Sequence, residues 1–231
     1  MNYLGGVLAA VLLLSSCQQA PIGPTQHESV HFDLDNSEVL HLNLKMGAGE
    51  LHVDGGSKYL ADADFTYNIA AWKPLVSYHS TGSRGDLDIS QPDGPTALGD
   101  VDYRWDVRLN DRRQTDIVAK LGAGSVRMNL ATLPLRSVEV SMGAGELKMD
   151  LRGNPAKSYD VRIQGGVGSA TIYLPKSVGI SATAQGGIGS IDVDGLEERN
   201  GRWVNPSQLD SPVTIRLDVK GGVGEIKLIA E

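Results

Sequence analysis

The stretch KMGAGELHV, residues 45–53, returns as KLGAGSVRM from Lys120, SMGAGELKM from Ser141, QGGVGSATI from Gln164, QGGIGSIDV from Gln185 and KGGVGEIKL from Lys220. The first glycine of each Gly-x-Gly falls at Gly47, Gly122, Gly143, Gly166, Gly187 and Gly222. The second falls at Gly49, Gly124, Gly145, Gly168, Gly189 and Gly224. Successive copies lie 75, 21, 23, 21 and 35 residues apart, and a weaker copy, SRGDLDI around Gly85, divides the longest gap. A repeat near 21 residues that tolerates insertions marks a solenoid, whose units bury their apolar faces only against neighbouring units.

Alternating residues lead into and out of every Gly-x-Gly. Leu40, Leu42 and Leu44 enter the first copy, Val138 and Val140 the third, Val161 and Ile163 the fourth, and Ile215, Leu217 and Val219 the last. Leu51/Val53, Val126/Met128, Leu147/Met149, Ile172, Ile191/Val193 and Ile226/Leu228 lead out. Period two over five to seven residues means half-buried strands. The glycines mark a corner where the strand bends or takes positive φ. The apolar face resumes one residue out of phase after the corner, as a bulge or tight bend requires.

Two further patterns accompany the corner. Where the residue before the first glycine is large (Met46, Leu121, Met142), the middle residue is alanine; where it is Gly165, Gly186 or Gly221, the middle residue is Val167, Ile188 or Val223. Close packing penalises both voids and overfilling, so the two positions are expected to share one internal pocket. On the outward face, stacking in chain order would set Asp88 against Arg127, Glu139 against Arg162 and Asp192 against Lys227. Such pairs contribute only about 0.2–1 kcal/mol each, enough to fix register but not to hold a fold.

The N-terminus carries the second signal. Leu4 to Leu14 is an apolar run too short to span a bilayer but long enough for the core of a secretory signal. It ends in Leu14-Ser15-Ser16-Cys17, which resembles the bacterial lipobox, and Cys17 is the chain's only cysteine. Lipidation of Cys17 accounts for it. No Lys or Arg precedes the apolar run. Gln18 to His27, polar and interrupted by two prolines, reads as a tether. The expected organisation is a signal peptide over 1–16, a lipidated cysteine with its tether over 17–30, and one domain over 31–231. Within that domain, 31–110 is irregular and 111–231 forms regular coils.

A mature chain of about 215 residues suffices for one elongated domain. Twenty-eight glycines and few aromatics suit tight corners round a thin core. A net charge of −7 without a basic cluster makes nucleic acid and anionic lipid poor partners. No second apolar stretch approaches membrane-spanning length.

No residues are expected to be catalytic, and neither a metal nor a cofactor is expected. The Gly-x-Gly loops precede strands, whereas phosphate-cradling loops precede helices. His27, His31, His41, His52 and His79 lack metal-ligand spacing. The carboxylate pairs Asp86/Asp88 and Asp192/Asp194 lie far apart in coil order. Glu50, Glu146 and Glu225 share their corner position with Ser125, Ser169 and Ser190, too dilute for a calcium ladder. Arg84-Gly85-Asp86 reads as a coincidental RGD inside the weak copy. Trp72, Tyr78, Tyr103, Trp105 and Trp203 are either exposed anchors for a partner or a sugar, or caps and seams of the stack, which must cover its terminal core; the second reading is preferred.

The run Gly47 to Pro92 resembles the N-terminal part of the bacterial toast-rack family. It carries G-A-G-E-L, then Asp64-Phe65-Thr66-Tyr67-Asn68, Lys73-Pro74 and Gln91-Pro92. WDVRL at Trp105 and the serial G-[AV]-G copies extend the likeness over nearly the whole mature chain. The resemblance implies an all-β, single-domain, right-handed parallel β-helix-like stack with G-x-G corners. It also implies kinship with LiaF-like envelope stress proteins, whose membrane-attached β domain modulates signalling partners, and it brings no catalytic residues. Here a lipid anchor takes the place of transmembrane helices. The expected function is a non-enzymatic envelope lipoprotein, on the outer membrane facing the periplasm. It would offer a rigid β surface to an envelope protein or to a second copy of itself. The second reading is a cell-surface β-helix that binds or cleaves glycans.

Overall fold

The computed structural model describes residues 19–208 and 210–231. Cys17, the signal sequence and Gln18 lie outside the described residues. The strands are β1 (Gln26–Phe32), β2 (Val39–Asp54), β3 (Ala61–Tyr67), β4 (Leu75–Thr81), β5 (Arg84–Ser90), β6 (Tyr103–Leu109), β7 (Gln114–Asn129) and β8 (Leu135–Asp150). They continue as β9 (Tyr159–Leu174), β10 (Gly179–Gln185), β11 (Ile188–Asp194), β12 (Glu197–Arg199), β13 (Arg202–Val204), β14 (Thr214–Lys220) and β15 (Val223–Ala230). Two single 3-10 turns, Ala70–Trp72 and Pro206–Gln208, are the only helical segments among the described residues. None of these is long and apolar enough to cross a membrane.

Each Gly-x-Gly is the elbow of a long bent strand. In β2 the buried residues are Leu40, Leu42, Leu44 and Met46 before the elbow and Leu51 and Val53 after it, so the inward phase changes parity across the corner. The second glycine produces that change: Gly49, Gly124, Gly145, Gly168, Gly189 and Gly224 all have φ between 130° and 146°. Stacking adds a second demand. A Cβ on Gly124 would stand 1.9 Å from the Gly49 carbonyl oxygen, and one on Gly145 1.8 Å from that of Gly124. Only glycine allows neighbouring corners to approach at strand spacing.

β2, β7, β8 and β9 run parallel in register through both arms. Short returns such as Leu130–Pro134 join one coil to the next, and the inward residues of both arms merge in one apolar cluster. The coils do not stack in chain order. β14 and β15 lie against β9, and β10 and β11 stack outside them. The excursion between β11 and β14 explains this. Its hairpin, β12 and β13, pairs with β10 at Ser181 and Ala182 and covers that part of the edge, so the last copy enters between the two preceding coils.

The N-terminal end departs from the expected pattern. β5 and β6 form the coil beyond β2, with Gly85 opposite Leu40 and Trp105 opposite Leu51. Gly85 therefore lies within an entering arm and the weak copy is no corner. Asp88 faces Asn43, and Arg127 faces His52 and Lys148, so the expected Asp88–Arg127 pair does not form. Antiparallel β4, β3 and β1 close this end. Trp105 and Tyr103 are buried here, with Trp105 edge-on to Phe65 at 5.8 Å and Trp72 edge-on to Tyr103 at 5.5 Å. These aromatics fill the wider core of the end coils, as capping residues should.

The segment read as a tether is docked from Gln19 onward. Gln19 bridges Thr96, the Ala20 N–H donates to the Thr96 carbonyl at 2.8 Å, the Gly23 N–H donates to the Asn68 carbonyl at 2.7 Å, and β1 begins at Gln26. Backbone hydrogen bonds hold a stretch whose side chains alone read as linker.

Candidate interaction surface

The stacking order sets the outer face of the sheet. Glu50, Ser125, Glu146, Ser169, Glu225 and Ser190 fall in one row of register partners. In chain order two serines would adjoin; in the order observed Glu and Ser alternate throughout, and no two carboxylates are neighbours. Either order keeps these carboxylates apart; what the observed order adds is opposite charges side by side on the arms before the corner. Arg162 sits between Glu139 and Asp218, with its Nη1 donating to Glu139 at 3.2 Å. Arg216 faces Asp160 and donates from Nε at 2.5 Å, which holds the Asp160 carboxyl below its ordinary range. Asp192 and Lys227 are register neighbours as expected, although the Lys227 ammonium rests 3.0 Å from Glu225, whose hydrogen bond raises its pKa.

The other polar residues weighed from the sequence are engaged locally. Arg84 grips Asp86 through two nitrogens and lowers its pKa, and Gly85 is buried against Tyr78 and Ser37. This RGD is part of a strand with its charges mutually paired. His41 Nε2 lies 3.1 Å from Asp116, His52 Nδ1 lies 2.8 Å from Asp106, His27 Nδ1 lies 3.1 Å from the Thr66 hydroxyl, and His31 stacks on Tyr59. The Asp86 and Asp192 pairs lie at opposite ends of the stack.

The expected internal pocket at the corner does not exist in that form. Ala48, Ala123, Ala144, Val167, Ile188 and Val223 all point outward and are exposed. At two of the three late corners the space left by the glycine before the first Gly is taken up by the isoleucine that restarts the inward face. Beneath Gly221 and Gly186 lie the Cδ1 atoms of Ile226 and Ile191, 3.2 and 3.7 Å from where a Cβ would be. At Gly165 the corresponding residue is only Ala170, and a hollow of about 40 Å³ remains.

The outward change creates a surface. Val167, Val223 and Ile188 are consecutive register partners, 58, 45 and 73% exposed, and form an apolar ridge along the last three corners. The ridge ends on β11, which pairs only with β15. The half-sheet of β10 is partly covered by the β12–β13 hairpin; the half-sheet of β11 has no such cover among the described residues. Its inward Ile191 is exposed at a position buried in β15 as Ile226. An open strand edge beside an apolar ridge is a template for strand pairing. Sequence reasoning missed this surface because stacking in chain order puts the last copy outermost. The complementary charges of Asp160/Arg216 and Arg162/Asp218 were the signal that could have revealed the true order.

A model of the family described as "N-terminal domain of toast_rack, DUF2154" matches residues 21–173. Among solved structures, a "putative cell adhesion protein" from Clostridium sporogenes ATCC 15579 is 31% identical, with a TM-score of 0.87, over 90% of this chain and 100% of that one. A "putative adhesin" from Bacteroides fragilis NCTC 9343 is 13% identical with a TM-score of 0.36, over 89% of this chain and 97% of that one, and nothing further is taken from that likeness. No curated protein matched the chain.

Proposed function

The chain belongs to the toast-rack family, and from that premise we propose that it is a non-enzymatic interaction protein of the bacterial cell envelope. Its binding surface is the open edge of β11 together with the Val167–Val223–Ile188 ridge. A lipid on Cys17 holds it to the outer membrane on the periplasmic side, where a partner protein in adhesion or envelope signalling reaches the free edge. The observation that carries this reading is the asymmetry of the C-terminal end: a hairpin covers part of the β10 edge, and β11 presents an edge left open among the described residues, with Ile188 and Ile191 exposed. An extended segment added there gains main-chain hydrogen bonds, with the ridge selecting its side chains. The description of the Clostridium relative as a cell-adhesion candidate agrees with a binding role. Burial of Trp72 and Trp105 supports this reading over glycan binding, since sugar-stacking aromatics must be accessible.

Site-specific photocrosslinking in intact envelopes tests it. A photoreactive residue at Ile188 should give a discrete protein adduct, and one at Lys148, on the outer face of a central strand, should not. Equal labelling from both sites, or none from Ile188, would contradict the assignment. An adduct of twice the chain mass would identify a second copy as the partner.

A further inference from the structure

Eight large apolar side chains are exposed among the described residues, and all but Leu34 fall into two groups. Val167, Ile188, Ile191 and Val223 form the C-terminal surface. Ile22, Leu75 and Leu98, 41, 58 and 73% exposed, belong to the corner side of the first coils. Ile22 approaches Gly99, next to Leu98; a Cβ there would stand 2.9 Å from its Cδ1. Leu75 opens β4 opposite Ser90, where the loop carrying Leu98 begins. We propose that this end is a membrane-contact surface that seats the stack directly on the lipid bilayer. The proposal rests on the reading of Cys17 as the lipidated residue.

The length of free chain is the first argument. Cys17 is two residues from Gln19, which bridges Thr96, and Ala20 is buried and hydrogen-bonded to the same residue. Two extended residues span at most about 7 Å, about the depth of one headgroup region. An acyl group on Cys17 therefore draws the Thr96–Gly99 loop down to the lipid surface, and Leu98 and Ile22 with it.

The loop is also fixed from beneath. The Trp72 indole donates to the Pro95 carbonyl at 3.1 Å, and the Tyr103 hydroxyl donates to the Trp72 carbonyl at 2.8 Å. The Asn68 side chain donates to the Asp100 carbonyl at 2.8 Å and accepts from the Asp102 amide at 3.0 Å. A rigid loop thus holds an exposed leucine outward, a poor arrangement in water and a suitable one at an apolar boundary.

The charges choose the kind of lipid. Asp93, Asp100 and Asp102 lie in the same loop, and the nearby cations Lys45 and Lys73 face Asp93 and Glu28. With no basic surplus, the contact is apolar and suits zwitterionic headgroups, so it should persist at high salt. β11 stands six strand spacings from β6, about 29 Å away across the stack, so its open edge is a separate surface from this one.

The test uses the mature acylated protein. With Cys17 lipidated, a cysteine placed at Leu98 or Asp192 is the only free thiol and takes a fluorophore; both side chains are exposed, so the fold tolerates the change. In phosphatidylcholine vesicles containing spin-labelled lipid, the probe at 98 should be quenched several-fold more than that at 192, with no change at high salt. Equal quenching at the two positions overturns the seating. If the probe at 98 escapes lipid quenching but is shielded from aqueous iodide in native envelopes, a protein covers this end and the proposal is wrong. Fractionation of Cys17→Ala separates the two failures. If that variant is still processed and membrane-bound like the native chain, the anchor fails and the proposal falls with it. If it is released while the probe at 98 on the acylated protein remains unquenched, the anchor stands and only the seating is refuted.

Discussion

At the scale of single residues, the corner glycines are not equivalent. A methyl group on Gly145 would overlap the Gly124 carbonyl oxygen, a backbone atom, at a φ of 133°. On Gly47 it would meet only the Gln91 side-chain oxygen, 3.1 Å away. Gly145→Ala is therefore expected to cost more than about 3 kcal/mol and Gly47→Ala less than about 1 kcal/mol in chemical denaturation. A second test concerns Asp35. Burial raises its pKa, but hydrogen bonds from Tyr78 (2.6 Å), the Ser37 amide (2.9 Å), the Ser37 hydroxyl and Ser80 outweigh that and bring it down to about 2. The folded-state pKa lies below the ordinary value of 3.8, so this contribution is present above about pH 4 and is lost as the pH falls toward 2. Tyr78→Phe should cost about 1–2 kcal/mol at neutral pH. Its deficit should shrink over that acid window; a constant deficit would show that the carboxylate is not involved.

At the scale of elements, the two-armed strands were legible because the alternation and the glycine positions are both local. Their antiparallel companions at the N-terminal end were not, since β1, β3 and β4 lack the corner motif and find their partners through tertiary packing. SRGDLDI imitated a corner because its glycine stands just ahead of alternating residues; Gly85 is there for the close approach of Tyr78. The docked Gln19–Thr25 segment was illegible for another reason, because backbone hydrogen bonds, which a side-chain pattern does not show, hold it in place. The inward filling of the late corners makes a prediction. Beneath Gly165, where the other late coils place isoleucine, Ala170 leaves a hollow of about 40 Å³. Ala170→Val should stabilise the fold by roughly 0.5–1 kcal/mol, read as a higher denaturation midpoint with unchanged slope. A lower midpoint would mean that the hollow is not available to a side chain.

At the scale of the whole molecule, the order of coils decides what the protein can offer a partner. Insertion of β14 and β15 between β9 and the β10–β11 coil places Arg216 beside Asp160 and Asp218 beside Arg162, and leaves β11 as the open edge. Sequence repeats specify that coils stack and in what register, but any order buries similar apolar faces. The choice is made by the β12–β13 hairpin and by cross-strand charge, both of which depend on pairing at a distance. With the membrane-contact end at β6 and the free edge at β11, the order also sets which surface faces lipid and which faces a partner. Paired cysteines test it most directly, in a chain with Cys17 replaced by serine. Thr171 is a register neighbour of Lys227, and Asp192 lies one strand further on. Disulfide formation needs Cα atoms within about 7 Å, and adjacent strands lie about 4.8 Å apart. Thr171→Cys with Lys227→Cys should oxidise to a crosslink under mild conditions, and Thr171→Cys with Asp192→Cys should not. Crosslinking of the second pair and not the first would place the coils in chain order and remove the open β11 edge on which the proposed function rests.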